Sequence, residues 1–256
     1  MKDQPLILVT NDDGIYSPGL LALAQDLGEL GELLIVAPRS QRSGWGRGLA
    51  GIEGSAEEEE LGISLPSARA YALESSPAWA VRYAIVRLAD RRPVLVISGI
   101  NYGENLGTAI SVSGTVGAAM EGAAHGIPSL AVSLETEQRY HLSHSTEVDF
   151  SVAARFARRM ASGLVREGLP SGVDLLKVDV PRRATRDTGW RMTRASRQRY
   201  FWPTEDLGYE ARVDLESLEP DSDIQAVTVD GVISVTPLTL DLTADVDLVS
   251  LESLLA

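Results

Sequence analysis

The chain has 256 residues, 44% of them hydrophobic, and its formal net charge is −13. This composition can form a buried core, whereas the longest apolar runs are far shorter than the roughly 20 residues of a membrane helix. The negative charge argues against binding to a nucleic-acid duplex, and the absence of cysteine excludes disulfides and thiolate sites.

The N-terminal sequence MKDQP lacks the apolar segment of a secretory signal peptide. We therefore expect a cytoplasmic protein that binds no membrane. The only lysines are Lys2 and Lys177, and neither lies in a glycine-rich loop, so a lysine-dependent phosphate loop is absent. If phosphate binds to this chain, another group must supply the positive charge.

The apolar pattern of the chain alternates between strand-like runs and helical periodicity. In chain order, strands are predicted at residues 6–9, 33–37, 94–98, 130–134, 175–180 and 232–236. Helices are predicted at about residues 18–30, 77–89, 115–125 and 149–166. This alternation predicts an α/β fold in which helices cover both faces of a mostly parallel sheet.

The composition changes beyond Pro181, where arginines, three consecutive aromatic residues and then acidic residues follow one another. We predict a protruding β-hairpin region and a C-terminal arm in this part of the chain. Earlier in the chain, the acidic run AEEEELG at residues 56–62 is interpreted as a solvated loop without a function.

Polar segments follow the first three predicted strands. Asn11, Asp12 and Asp13 follow the first strand, PRSQRSG at residues 38–44 follows the second, and SGINYGENLG at residues 98–107 follows the third. Ligands of an open α/β sheet bind outside the carboxyl ends of its strands. We therefore expect these segments to converge at one edge of the sheet.

The adjacent carboxylates of Asp12 and Asp13 repel each other unless one is protonated or a cation lies between them. A hard divalent cation takes oxygen ligands, and the chain offers many of these but only three histidines, so Mg²⁺ or Mn²⁺ suits it better than zinc or copper. Taken alone, an Asn-Asp-Asp-Gly run is more typical of a capping turn, because such side chains bond to nearby backbone amides. The residues by themselves leave both interpretations open.

Ser113, Gly114 and Thr115 begin a predicted helix that is rich in small residues. Backbone amides and the helix dipole bind anions at such an N-terminus, although Ser113 is equally typical of a simple N-cap. A cation at the same sheet edge would favour the interpretation as a phosphate-binding site.

The three histidines give a weaker signal than the acidic residues. His125 ends the same predicted helix and is interpreted as its C-terminal cap rather than as a catalytic base. His141 and His144 lie in a predicted loop, and their spacing indicates no particular chemistry.

Six motifs, taken together and in order, resemble the stationary-phase survival protein SurE family. They are TNDDGIYSPG, VAPRSQRSG, SGINYGENLG, SGTVGAAMEG, GIPSLAVSL and VISVTPLTLDLTA. The resemblance implies a Rossmann-like three-layer core and a metal-dependent 5′/3′-nucleotidase. It also implies a single SurE-like domain over residues 1–256, with the core at about 1–181 and the hairpin region and arm at about 182–256.

The resemblance also assigns residues to roles. It places one divalent cation per subunit, Mg²⁺ or Mn²⁺, and it places Ser113 and Thr115 on the loop that faces the phosphate. The implied metal ligands are Asp12, Asp13, Ser43 and Asn101. The family forms dimers and larger assemblies through exchanged segments, so we expect a homodimer or homotetramer.

Three departures from the family pattern are visible. The chain has SSPAW at residues 75–79 where the family has a Gly-Thr-Pro segment followed by an acid, Arg39 where an acid is common, and Thr108 and Ala109 in place of an acidic pair. None of them replaces an implied metal ligand. They bear on nucleotide selectivity and on the groups that orient the ligands.

The expected activity is hydrolysis of nucleoside monophosphates. Asp12 and Asp13 would carry the cation, Asn11 would orient the site, and residues 113–115 with Gly114 at their centre would hold phosphoryl oxygens. A phosphoaspartate hydrolase is one alternative, but it spaces its acids two apart and uses a lysine. A catalytically weakened nucleotide-binding or assembly protein is another alternative, motivated by SSPAW.

Overall fold

The computed structural model describes residues 4–62, 65 and 67–247. The strands are β1 (Leu6–Thr10), β2 (Glu32–Pro38), β3 (Glu57–Glu58), β4 (Ala68–Leu73), β5 (Leu95–Tyr102), β6 (Ser129–Leu134), β7 (Leu175–Val180), β8 (Trp190–Met192), β9 (Phe201–Pro203), β10 (Tyr209–Ala211) and β11 (Ile233–Leu238). The α-helices are α1 (Pro18–Leu27), α2 (Pro77–Tyr83), α3 (Gly114–Ala124) and α4 (Ser151–Glu167).

Nine of these strands form one sheet in the order β3-β4-β2-β1-β5-β6-β7-β11-β8. The six strands from β4 to β7 run parallel, with Ile7 of β1 opposite Leu33 on one side and Leu95 on the other. β3 and β11 are antiparallel to their neighbours β4 and β7. Because β2 and β5 lie on opposite sides of β1, the chain order reverses there, and a crevice forms at the carboxyl ends of these strands.

Helices cover both faces of this sheet. Ile7 and Val9 of β1 pack with apolar residues of α1 and α4, whereas Leu6 and Leu8 pack with residues of α2 and α3. The central strand is therefore buried on both faces, as its unbroken apolar sequence predicts. The predicted three-layer α/β fold is confirmed. No helix in the described ranges is long and apolar enough to cross a membrane.

The predicted elements differ from the structure mainly at their ends and at the sheet margins. The helical periodicity of residues 77–89 covers α2 and a following π-helix, Ala84–Leu88. β4 was not predicted, because Arg69 and Tyr71 interrupt its apolar pattern. Polar side chains can occur at these positions because β4 lies near the margin of the sheet. Only the two-residue strand β3 pairs beyond it, so several of its side chains are only partly buried.

The third predicted strand, 94–98, is longer in the structure and carries part of the motif that was expected to follow it. β5 continues to Tyr102, with a register shift against β6 between Ser98 and Asn101. Asn101 thus lies within the strand, opposite Ser133, rather than in a loop.

The interpretation of residues 56–62 as a solvated loop is wrong in part. Glu57 and Glu58 form β3, which pairs with β4. Arg39 lies 2.5 Å from Glu57 Oε2 and 3.0 Å from Glu59 Oε1, so part of this acidic run is the counter-charge of an arginine near the end of β2. A run of like charges does not indicate that an arginine distant in the sequence pairs with it.

The region beyond residue 181 contains the predicted hairpin and also completes the sheet. β9 and β10 pair antiparallel as a separate two-stranded hairpin, which confirms that prediction. β11 inserts between β7 and β8, so the main sheet includes strands from this region. The predicted arm continues past β11 to residue 247 with Leu242 89% exposed, and its remainder, residues 248–256, lies outside the described residues.

Candidate active site

The segments after β1, β2 and β5 meet the N-terminal end of α3 at one edge of the sheet. They surround a cavity of about 280 Å³ whose lining includes Asp12, Ser43, Asn101 and Ser113. These four residues come from four separate parts of the sequence. The cavity occupies the position at which the strand order reverses, where open α/β sheets bind ligands.

Asp12 lies two residues after the end of β1, and its side chain is buried. Its Oδ1 accepts a hydrogen bond from Thr115 Oγ1 at 2.5 Å. The side chain also packs on Gly114, where an added Cβ would lie 2.7 Å from Asp12 Oδ2. Burial raises the pKa of Asp12 to about 6, and the Thr115 hydrogen bond opposes this shift because it favours the charged carboxylate.

Asp13 is fully buried beside Asp12. Its carboxylate accepts hydrogen bonds from Gln41 Nε2 at 2.9 Å and from the Tyr102 backbone amide at 3.2 Å. Burial, followed by the charge of Asp12, raises the pKa of Asp13 well above its ordinary value. Among the described residues, neither acid forms an ion pair with an arginine, lysine or histidine. Two buried carboxylates without a counter-charge are a favourable setting for a cation.

Gln41 is a site residue that the sequence did not reveal. Its Nε2 lies within hydrogen-bonding distance of Asp13 Oδ1, of Ser43 Oγ at 3.0 Å and of the His141 carbonyl at 2.6 Å. Gln41 thus connects two of the implied ligands. The only signal was its place in the motif VAPRSQRSG, since its partners Asp13 and His141 lie 28 and 100 residues away.

Asn11 holds the turn that carries the two acids. Its Nδ2 donates to the Gly14 carbonyl at 3.0 Å, and its Oδ1 accepts from the Gly14 amide at 3.1 Å. Gly14 has φ +107°, a conformation that suits glycine. At Asn11, therefore, the capping-turn interpretation describes the structure, and both polar atoms of the side chain are engaged within the turn.

Ser43 and Asn101 complete the implied ligand set and both line the cavity. Asn101 Nδ2 donates to the Gly103 carbonyl at 2.6 Å, which leaves Oδ1 without a hydrogen-bond partner among the described residues. In the described ranges, no three His, Asp or Glu side chains cluster at metal-binding distances. Two carboxylates with one hydroxyl and one amide oxygen nevertheless form a donor set that fits a hard divalent cation.

At the N-terminus of α3, Ser113 caps the helix and still has a hydroxyl hydrogen that it can donate. Ser113 Oγ accepts a hydrogen bond from the Val116 amide at 3.1 Å, so the residue is an N-cap, but its hydroxyl proton remains available and it lines the cavity. Thr115 is fully buried, and its hydroxyl is committed to Asp12. Of the three residues expected to hold phosphate, only Ser113 has a side chain at the cavity surface.

A buried carboxylate on α3 braces the loop that carries Ser43. Glu121 is 1% exposed and pairs with Arg47 at 3.0 Å and with Arg82 at 2.8 Å. His125 lies 3.5 Å from the same carboxylate and ends α3, which confirms its prediction as the helix cap. His144, which with His141 was expected to lie in a loop, has its Nε2 2.8 Å from the backbone carbonyl oxygen of Asp13.

A second buried ionic network, which was not predicted, bonds to the backbone of Asn105 and Gly107. Lys177 of β7 pairs with Asp179 and with Asp223 at 3.0 Å, and all three side chains are fully buried. Asp179 Oδ1 accepts from the Asn105 amide at 2.7 Å, and Asp223 Oδ2 accepts from the Gly107 amide at 3.1 Å. The network therefore fixes the segment that follows β5.

The SSPAW departure supports a loop and does not line the cavity. Ser76 caps α2 by accepting from the Trp79 amide at 3.2 Å, and it donates to the Gly48 carbonyl at 2.6 Å. The Trp79 ring packs on Gly51, where an added Cβ would lie 2.1 Å from the ring. These contacts secure the far end of the loop on which Ser43 lies.

Comparison with known proteins gives consistent matches. The profile of the family described as Survival protein SurE matches residues 7–202. The 5′-nucleotidase SurE of Thermococcus gammatolerans is 44% identical over 263 residues, covering 97% of this chain and 95% of that protein. The 5′-nucleotidase SurE of Moorella thermoacetica is 42% identical over 248 residues, with 93% and 91% covered. The crystal structure of the SurE protein from Aquifex aeolicus has a TM-score of 0.78 and 31% identity, covering 98% of this chain and 100% of that one.

Proposed function

The chain belongs to the survival protein SurE family, and we propose that its cavity is the active site of a metal-dependent 5′-nucleotidase. The enzyme hydrolyses nucleoside 5′-monophosphates to nucleoside and phosphate, and we extend the proposal to 3′-monophosphates. The observation that carries it is the convergence of Asp12, Ser43, Asn101 and Ser113 on one cavity.

The oxygen donors around Asp12 and Asp13 would hold one cation per subunit, Mg²⁺ or Mn²⁺, with Ser43 and Asn101 as the remaining protein ligands. When bound, such a cation supplies Lewis-acid polarisation of the phosphoryl group and lowers the pKa of water. In the reaction, water attacks phosphorus, the phosphorus–oxygen bond to the nucleoside breaks, and the nucleoside oxygen takes up a proton.

The other residues bind and orient. The Ser113 hydroxyl and the first backbone amides of α3 would hold phosphoryl oxygens, because these amides have no partner within the helix. Thr115 and Gln41 orient the two carboxylates through the hydrogen bonds described above. We assign Asn11 to positioning, since both polar atoms of its side chain bond to Gly14.

Phosphate release from a panel of nucleoside 5′- and 3′-monophosphates, with Mn²⁺, with Mg²⁺ and with EDTA, tests the proposal. We expect release with a divalent cation and none with EDTA. Asp12→Asn should abolish release, and Asp187→Asn, which changes an exposed aspartate, should not. Release that persists undiminished in EDTA would contradict the assignment.

The alternatives from the sequence have distinct outcomes in the same experiment. Metal-dependent nucleotide binding without phosphate release would indicate a protein that has lost turnover. The departure that motivated this alternative, SSPAW, braces a loop through Ser76 and Trp79 and does not line the cavity. Trapping a covalent phosphoaspartate would instead indicate the second alternative, a phosphoaspartate hydrolase.

We also propose that the chain forms a homodimer or homotetramer through its hairpin and arm. Large apolar side chains are exposed there, with Leu207 94%, Leu215 69% and Leu242 89% exposed. Such side chains are typical of association surfaces. Light scattering of the purified protein should give at least twice the monomer mass, and a monodisperse monomer would contradict this proposal.

A further inference from the structure

The cavity has a second wall that neither the implied metal ligands nor the phosphate-binding segment uses. His141, Phe201 and Tyr209 line this wall, and the last two come from the β9–β10 hairpin. The rings of His141 and Tyr209 stack with centroids 5.9 Å apart and 17° between their planes, while Phe201 meets Tyr209 edge-on at 5.1 Å. His141 Nδ1 also lies 2.9 Å from the Tyr209 hydroxyl.

Burial lowers the pKa of His141, so this ring is neutral near physiological pH. The wall is therefore an uncharged aromatic surface beside an acidic and polar one. Aromatic rings of this kind bind nucleobases by stacking, and they tolerate different bases because every base has a π face.

Glu104 lines the same cavity and lies three residues after Asn101 in the sequence. The residue is 5% exposed, and its Oε2 is buried without a hydrogen-bond partner in the described part of the chain. Burial raises the pKa of Glu104 to about 7. Interaction with the Tyr200 side chain lowers the pKa of the Glu104 carboxyl group, but no hydrogen bond from the described residues reaches Oε2. A buried acceptor without a donor is costly, which is why such atoms are rare in folded proteins.

The backbone around Glu104 is held by hydrogen bonds of its neighbours, so the point from which its side chain extends is defined. The next residue, Asn105, donates its amide to Asp179 at 2.7 Å and its Nδ2 to Ser133 Oγ at 2.8 Å. On the preceding side, Asn101 donates to the Gly103 carbonyl. An unsatisfied carboxyl oxygen in a residue that lines a cavity beside an aromatic wall is an arrangement that a ligand with a hydrogen-bond donor would complete once the side chain turns toward it.

We propose that this wall is the nucleoside subsite of the enzyme. The rings of His141, Phe201 and Tyr209 pack against the base, and the Glu104 carboxyl group accepts a hydrogen bond from an N–H group of the base or an O–H group of the ribose. This inference rests on the proposed function, because it assumes that the phosphate end of the same molecule lies at Ser113. It makes Glu104 the residue that distinguishes nucleotides from other phosphomonoesters.

Two variants and a control test the subsite. Glu104→Gln keeps the size of the side chain and removes its charge, Tyr209→Leu removes stacking and retains an apolar side chain, and Glu60→Gln changes an exposed glutamate. Each is assayed for kcat/KM with adenosine 5′-monophosphate, ribose 5-phosphate and methyl phosphate. Adenosine binding is measured by calorimetry in EDTA, so that this readout is independent of the cation.

At pH 8, above the pKa of Glu104, loss of a hydrogen bond to the charged carboxylate in Glu104→Gln should lower kcat/KM for the nucleotide about 10- to 100-fold. Methyl phosphate should change less than twofold. An equal loss with ribose 5-phosphate identifies ribose as the donor, and no loss identifies the base. Tyr209→Leu should weaken adenosine binding about tenfold, and Glu60→Gln should match the wild type throughout.

Two results would overturn the inference. One is an equal fall in kcat/KM for methyl phosphate and the nucleotide in Glu104→Gln, which would make Glu104 a structural residue. The other is unchanged nucleotide hydrolysis and unchanged adenosine binding in both variants. If the wild type releases phosphate from none of the three substrates but binds adenosine through this wall, the proposed function fails and the subsite remains.

Discussion

Replacing Asp13 with asparagine should change stability and activity in opposite directions. In the metal-free protein, burial and the neighbouring charge of Asp12 oppose ionisation of Asp13, so raising the pH to 8 forces two buried carboxylates toward a state in which they repel each other. A rise in the pKa of Asp12 from 3.8 to about 6 corresponds to a destabilisation of about 3 kcal/mol at pH 8. The sign follows from linkage, since a raised pKa in the folded state means that stability is greatest below pH 3.8 and is lost as the pH rises through 6.

The Asp13→Asn variant removes one charge of this pair. Relief of the repulsion contributes on the order of 3 kcal/mol at an effective dielectric constant of 20. The loss of the charged acceptor of the Gln41 hydrogen bond costs about 1–2 kcal/mol. The variant should therefore be about 1–2 kcal/mol more stable than the wild type in EDTA at pH 8, which raises Tm by about 2–8 °C.

The assay is thermal unfolding in EDTA at pH 8 and at pH 5, together with phosphate release under saturating Mn²⁺. We expect the gain in Tm to shrink at pH 5, where protonation already relieves the repulsion, and we expect hydrolysis to be lost at both pH values. Mn²⁺ should raise the Tm of the wild type more than that of the variant. The exposed-site variant Asp187→Asn is the control for the loss of one negative charge. Equal or lower Tm in Asp13→Asn at pH 8, with an unchanged pH dependence, would refute the reasoning.

Three further substitutions test the groups around the acids. Gln41→Ala should raise the Mn²⁺ concentration for half-maximal hydrolysis about tenfold, because Asp13 loses its 2.9 Å hydrogen bond, and an unchanged metal titration would count against this role. Gly114→Ala should lower kcat/KM by at least about tenfold, because the new Cβ would lie 2.7 Å from Asp12 Oδ2. The circular dichroism spectrum should be unchanged. Kinetics equal to those of the wild type would show that Asp12 can shift freely. Lys177→Met should cost about 3–5 kcal/mol in urea unfolding at pH 7, because two buried carboxylates lose their cation, and a cost below about 1 kcal/mol would be inconsistent with the network.

The layered fold and the place of the cavity could be predicted because they depend on local patterns. β1 has an apolar side chain at every position from Leu6 to Val9, which fits only a strand buried on both faces. Asp12 and Asp13 follow directly, so the topology alone places them at the ligand-binding edge. The sequence therefore predicts the location of residues that directly follow a recognisable strand.

The supporting residues could not be predicted because their partners are remote in sequence. Gln41 reaches Asp13 and His141, and Lys177 reaches Asp223, 46 residues away. No periodicity links such positions. Asp179 lies two residues after Lys177 on the same strand, but nothing in the sequence indicates the second carboxylate, Asp223. In the sequence, Glu104 is only one position of a motif. A carboxylate oxygen without a hydrogen-bond partner can be recognised only when the positions of all neighbouring donors are known.

Asp223 determines which parts of the hairpin region can vary in length. It accepts from the Ser196 amide ahead of β9 and from its own neighbour Ile224 beyond β10, and it also accepts from Gly107 near the cavity. Both stems of the hairpin are thereby anchored to one internal carboxylate, while the tip around Leu207 projects into solvent. Insertions at the tip can accumulate without moving the aromatic rings, whereas a single residue added to either stem would displace them relative to the acids.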